Sequence, residues 1–347
     1  MSELATTDTD SHREAMGLAN RVRRLFLARE TGVFIALLLM SLFLWQATPA
    51  FMSVRNLLNV GRQVSLLGIM AVGMTFVLIS REVDLSVGAT YALAGLTAGM
   101  LIIAGWNLWL AIAVGLLIGT IIGGINGVIS TYGLLPSFIT TLGMMSVVRG
   151  IALLITDGQP VTVNAQKGAN PATLETFYFL GQGQLFGVIP MQLVFFIIVA
   201  IMGWILLSRT VFGFRVYAVG GSDKAARVSG IKVFNIKILA FVLIGFLAAL
   251  SGILSLAFLP SGQAGRTGVG TELDVIAAAI VGGASLSGGE GTILGTILGV
   301  LIIGVLRNGL VLMGISPFWQ QAIIGAVIIL AVGIDKWTGV RRRAARR

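Results

Sequence analysis

Long apolar runs separated by short polar breaks dominate the chain. The runs are around twenty residues long, enough for helices of about 1.5 Å rise per residue to cross a hydrocarbon core. In order they cover 31–50, 64–80, 85–105, 110–131, 137–156, 188–207, 238–258, 272–286, 292–313 and 318–334. A barrel would show short segments alternating apolar and polar residues, and this chain does not. The pattern predicts an all-α integral membrane protein of about ten transmembrane helices; 64–80 and 272–286 are short, so eight or nine also fit. Among the breaks, 51–63 reads as an interfacial turn, 157–187 as a polar outer loop, 259–271 as an outer loop and Ser287–Gly291 as a glycine turn.

Composition agrees with a membrane chain. Of 347 residues, 56% are hydrophobic and 11% charged, against about one quarter charged in soluble domains. The forty-six glycines suit closely packed helices in lipid. The net charge of +10 does not call for nucleic acid. Basic residues gather at run ends and tails, as the positive-inside rule requires. That rule divides the chain into an inner N-terminal tail (1–30), a transmembrane domain (31–335) with a basic inner loop (208–237), and a basic inner C-terminal tail (336–347). Ten spans place both termini on the same, inner side. Residues 1–30 are too long and polar for a cleavable signal peptide, and the Ser/Thr/Asp-rich first dozen residues predict disorder. With no cysteine and with His12 alone in the tail, disulfides, thiolate chemistry and Cys- or His-ligated metals are excluded, and no cofactor is expected.

Several polar residues stand against this apolar background. Glu82 and Asp84 precede the third run; Glu272 and Asp274 open the eighth. Each reads either as a helix N-cap or as a cavity or gate residue, because an unpaired carboxylate in lipid costs at least about 2.5 kcal/mol. Asn126, Arg149, Arg307 and Asn308 lie in or at the ends of runs, as helix–helix glue or as substrate contacts. The strings Glu82-Val83-Asp84-Leu85 and Gly119-Thr120-Ile121-Ile122-Gly123 recur in order as Glu272-Leu273-Asp274-Val275 and Gly291-Thr292-Ile293-Leu294-Gly295. In the predicted topology the two copies run in opposite directions, an inverted repeat of the transporter kind, unless the match is chance among Gly, Thr and Ile. Leu286-Ser287-Gly288-Gly289-Glu290 is close to an ATPase signature, but no GxxxxGK[ST] phosphate loop occurs, so it reads as a turn and ATP binding is not expected.

The longest basic, water-compatible segment between apolar runs is Arg209–Lys237. Within it Ser222–Val228 can form a short helix, capped by Ser222 and stopped by Gly230. Ala225, Ala226 and Val228 supply an apolar side; Lys224 and Arg227 supply charge. Such a knob suits a groove on a soluble partner, or anchors the loop to anionic lipid.

This segment, GGSDKAARVSGI (220–231), resembles the cytosolic coupling segment of bacterial ATP-binding cassette importer permeases, in particular monosaccharide permeases of the ribose, xylose, arabinose and rhamnose type. Residues 71–89, 270–299 and 318–335 are similar to the same family, and the likeness runs from about 50 to 335. It implies a type II importer-like fold in a bacterial inner membrane, with both termini cytosolic. It implies a second permease copy, a cytosolic ATPase docked on the coupling segment, and a periplasmic or lipid-anchored sugar-binding protein. Carried over by position, Gly221, Asp223, Lys224, Ala225, Ala226, Arg227 and Gly230 match the coupling segment, with Ser222 where relatives often carry Asn. Asp84, Leu85, Ser86 and Gly88 match a DLSVG motif, and Arg81 departs from the residues usual before it. Asp84, Ser86, Asn126, Asp274 and Asn308 are the candidates for the translocation pathway or gate. A nucleoside, a furanose signalling molecule or a branched-chain amino acid are alternative cargoes. An ion-coupled carrier would need mid-span carboxylates, and these are nearly absent.

Overall fold

A computed structural model of the chain describes residues 29–316, 319–320, 322–327, 329–330 and 333. Of the expected tails, 1–30 and 336–347, all but Arg29 and Glu30 lie outside the described residues, and the expected span at 318–334 lies only partly within them.

The apolar runs fold as helices, and three more helices form within the expected loops 157–187 and 208–237; in order they are α1 (Arg29–Ala47), α2 (Val54–Ile79), α3 (Val87–Ile103), α4 (Leu108–Tyr132), α5 (Ser137–Thr156), α6 (Pro171–Gln182), α7 (Met191–Arg209), α8 (Val211–Gly221), α9 (Asp223–Val228), α10 (Val233–Phe258), α11 (Thr271–Val281) and α12 (Ile293–Leu312). Seven of them (α1, α2, α4, α5, α7, α10 and α12) are long and apolar enough to cross a membrane; α3 is apolar but has seventeen residues. Two short antiparallel ladders also form: β1 (Val161–Thr162) with β4 (Ser261–Gly262), and β2 (Gln184–Leu185) with β3 (Ile189–Pro190).

α2 and α10 form the centre, and α1 lies on the outside with most of its side chains exposed. Close packing of α4 follows from four glycines spaced four apart. Gly115, Gly119, Gly123 and Gly127 turn one bare stripe toward α3 and α10. A Cβ at Gly119 would overlap the Gly245 carbonyl, and one at Gly123 the Phe241 carbonyl. Backbones so close gain dispersion contacts that lipid cannot replace.

The bundle has two ends. At one lie α9, the end of α2, the start of α10 and the α11–α12 turn. At the far end, β1 and β4 pair, Phe177 of α6 is buried, and Tyr178 Oη donates to the Val163 carbonyl.

Three expectations change. Residues 51–63 are not an interfacial turn. Ser53 Oγ accepts from the Asn56 amide, and α2 begins at Val54. The polar residue that suggested a break is satisfied across the bundle, because the Asn56 and Asn308 side-chain amides donate to each other at 3.0 and 2.8 Å. Replacing Asn308 by leucine leaves the buried Asn56 Oδ1 without its donor, while Asn56 Nδ2 keeps the Phe51 carbonyl. It should lower stability by about 1–3 kcal/mol, and the Asn56→Leu/Asn308→Leu double variant should recover part of that loss; thermal melting in detergent measures both.

Second, 272–286 is not a span. α11 has eleven residues, a rise of about 16 Å, or half a hydrocarbon core. Third, 259–271 is not simply an outer loop. After β4 the chain turns back into the bundle, where Arg149 Nη1 of α5 donates to the Ala264 (2.7 Å) and Thr267 carbonyls. Gly268 reaches Gly88 at the start of α3, with φ +75° and no room for a Cβ. A re-entrant backbone is tolerated at this depth because protein groups satisfy it.

The starts of α3 and α11 therefore meet. From that point α3 runs to the far end and α11 back to the α9 end. α4 runs toward the α9 end and α12 away from it. Glu82–Leu85 thus leads into α3 while its counterpart opens α11, and the glycine strings lie in α4 and at the start of α12, so both pairs belong to oppositely directed elements, as an inverted repeat requires.

Candidate functional site

The basic loop is two helices. α8 ends where three backbones converge. A Cβ at Gly220 would overlap the Ile79 carbonyl, and that carbonyl also accepts from the Gly289 amide at 2.8 Å. Gly288 and Gly289 have φ of +78° and +75°, so the Leu286–Glu290 string is a turn between α11 and α12. Arg81 Nε donates to the Ser287 carbonyl (2.7 Å) and Tyr217 Oη to the Gly291 carbonyl (2.6 Å), fastening the turn to α2 and α8.

α9 follows. Ser222 Oγ accepts from the Ala225 amide at 3.3 Å. Beyond the helix the Ile231 amide returns to the Ala226 carbonyl and the Gly230 amide to that of Arg227, with Gly230 at φ +79°. This is a Schellman closure, and both predicted ends of the helix hold. Its faces differ from the expectation. Of the expected apolar side Ala226 alone packs inward; Ala225 and Val228 face out with Lys224 and Arg227, Val228 being 91% exposed. Arg227 is not free: its guanidinium lies 4.6 Å from the Phe234 ring centroid, and Tyr132 meets that ring edge-on at 5.0 Å. Beside them opens a shallow groove of about 390 Å³ whose lining includes Tyr132, Arg227, Lys232 and Phe234.

Asp223 opens α9 and turns inward. Its Oδ2 accepts from Lys237 Nζ at 2.9 Å, and the same ammonium lies 2.7 Å from Glu82 Oε1. Hydropathy alone does not reveal this trio, because it places Lys237 at the end of the basic loop. The signal was present: Val233, Ile236, Lys237, Ala240, Phe241 and Ile244 follow the spacing of one buried helical stripe.

Three of the five pathway candidates meet. Asn126 Nδ2 donates to Ser86 Oγ (2.8 Å), and Ser86 Oγ donates to Asp84 Oδ1 (2.7 Å), which also accepts from the Ser86 amide. All three residues are at most 1% exposed. Burial pushes the Asp84 carboxyl upward, and the Ser86 bonds pull against it. Asp84 therefore binds Ser86 rather than the first-turn amides of α3. The other two candidates stand apart. Asp274 of α11 pairs with Arg307 Nη2 at 2.7 Å, and Asn308 pairs with Asn56.

Comparison with known proteins sets this geometry in a family. The chain is 42% identical over 313 residues to the ribose import permease protein RbsC of Haemophilus influenzae, covering 90% of this chain and 95% of that one. It is 37% identical over 321 residues to the L-arabinose ABC transporter permease protein AraH of Azospirillum brasilense, covering 92% and 91%. Its fold is similar to that of a metal-chelate-type ABC transporter solved in an inward-facing conformation, at a TM-score of 0.50 and 16% identity, covering 89% and 98%. Residues 56–332 match the model of the branched-chain amino acid transport system / permease component family. The chain belongs to that family, as a multi-pass membrane transport subunit rather than a catalyst.

Proposed function

We propose that this chain is the transmembrane subunit of an ATP-driven importer that translocates a monosaccharide of pentose size. The observation that carries the reading is α9: a capped, closed helix with an exposed apolar residue beside an aromatic groove, at the one end where α2, α8, α10 and the α11–α12 turn converge. The α9 end is cytosolic, as are both termini, and a cytosolic ATPase docks on residues 221–230. A second permease copy completes the pathway, and an external binding protein delivers the sugar and supplies selectivity. The sugar class rests on the near full-length likeness to ribose and arabinose permeases. ATP binding draws the ATPase pair together, α9 moves with it, and the bundle switches access. Asp84, Ser86 and Asn126 enter this cycle by holding the start of α3 against α4, and Asp274 and Asn308 by tying α12 to α11 and α2.

The test is purification from native membranes followed by reconstitution in liposomes. A stoichiometric ATPase in the preparation and ATP-dependent uptake of radiolabelled ribose or arabinose are the expected outcome. The family description names branched-chain amino acids, so leucine is assayed beside the sugars. Leucine uptake without sugar uptake replaces the cargo, and uptake without ATP overturns the reading.

A further inference from the structure

We propose that Lys237 is a latch: by sharing one ammonium between Asp223 of α9 and Glu82, it transmits displacement of the docking helix to segment 82–86 and to the start of α5. The inference rests on α9 being the docking helix and names how its movement is passed on.

The two carboxylates belong to different parts. Asp223 is the first residue of α9; Glu82 opens the extended segment between α2 and α3. The lysine stands on α10, whose side chains are mostly buried along its length, a firm base. Its side chain is 11% exposed, that of Glu82 14% and that of Asp223 34%. One cation thus faces two anions in a partly desolvated space, where a charge gains more from each partner than it would in water. The sharing is competitive. When α9 moves off, the ammonium belongs to Glu82 alone and holds segment 82–86 more tightly to α10. When α9 returns, that hold weakens. By linkage, the position of segment 82–86 biases α9 by the same amount.

What Glu82 carries is well defined. The Val83 amide donates to Ser137 Oγ (3.2 Å) and the Leu85 amide to Thr141 Oγ1 (3.1 Å), both on the first turns of α5. Between them Asp84 reaches α4 through Ser86 and Asn126. The segment is therefore pinned alternately to α5 and α4. Of the two, α5 is the less embedded: 22% of its apolar stretch is buried, against 33% for α4. A contiguous chain of polar contacts runs from the docking helix to the start of that loosely held span, which is the physical warrant for coupling.

The experiment compares Lys237→Met, Lys237→Arg, Glu82→Gln and Asp223→Asn with the wild type. Each is reconstituted with the ATPase and binding protein that co-purify with the wild-type chain. The readout is the ratio of ribose transported to ATP hydrolysed, with melting and complex yield measured alongside. For Lys237→Met the ratio should fall at least about tenfold while the complex still assembles, and Lys237→Arg should restore most of it. Glu82→Gln and Asp223→Asn each leave the ammonium one partner. Both should lower the ratio, and their double variant should fall no further than the worse single one. These two carry the test should Lys237→Met fail to fold. An unchanged ratio in the variants, with or without lost stability, makes the trio a structural ion pair and overturns the latch while leaving the importer reading intact. Failure of the wild-type chain itself to bind an ATPase overturns both.

Discussion

Gly245→Leu should abolish the folded permease. Gly245 faces the stripe of α4, where its missing side chain lets the Gly119 carbonyl and the Gly123 backbone approach within what would be Cβ contact; a Cβ there would lie 3.0 Å from Gly123 Cα. The obstacle is backbone on both sides, so no rotamer relieves it. Overpacking a core commonly costs about 1–3 kcal/mol, and a leucine that prises apart two long helices should exceed that. Set against a total stability of about 5–15 kcal/mol, the loss takes a large share of what holds the fold. Size-exclusion chromatography in detergent should show the monodisperse peak replaced by aggregate, with Gly245→Ala intermediate and melting earlier than wild type. An unshifted melting curve for the leucine variant would show that α4 and α10 do not interlock here.

Val228→Asp should release the ATPase without disturbing the fold. The side chain is 91% exposed, so its loss costs the isolated permease no more than about 0.5 kcal/mol. Buried against a partner, an apolar anchor of this kind is worth about 2 kcal/mol, or roughly thirtyfold in affinity. An aspartate there must also be desolvated within the interface. Arg227 is a poorer probe, since reversing its charge also breaks its stacking on Phe234. Ala226→Asp is the contrasting control: that position is 3% exposed, and an acid there should unseat α9 itself. Binding of the purified ATPase to immobilised permease separates the cases. Undiminished binding to Val228→Asp, with an unchanged elution profile, would remove α9 from the interface.

Much of the site was legible because its signals are local. Ser222 and Gly230 bound α9 through hydrogen bonds within one turn of themselves. The repeated strings lie on oppositely directed elements, as the alternation of spans implied. Helix beginnings hidden by polar residues were not legible. Asn56 sits in the first turn of α2, and its polarity signals a break until Asn308, 252 residues away, is seen to satisfy it. The same holds for Lys237, whose charge marks a loop until Asp223 and Glu82 close around it.

By itself the sequence determined that this chain lives in a membrane as helices, that α9 is a closed knob, and that its many glycines suit close packing, because hydropathy, capping and missing side chains are properties of single residues and their near neighbours. The tertiary structure alone decided that 272–286 is half a span beside a re-entrant backbone, that Asp84, Ser86 and Asn126 are one cluster, and that Lys237 joins α9 to the segment before α3. Those outcomes depend on which buried polar group finds which partner across the bundle, and the cost of leaving one unpaired is paid or avoided only in three dimensions.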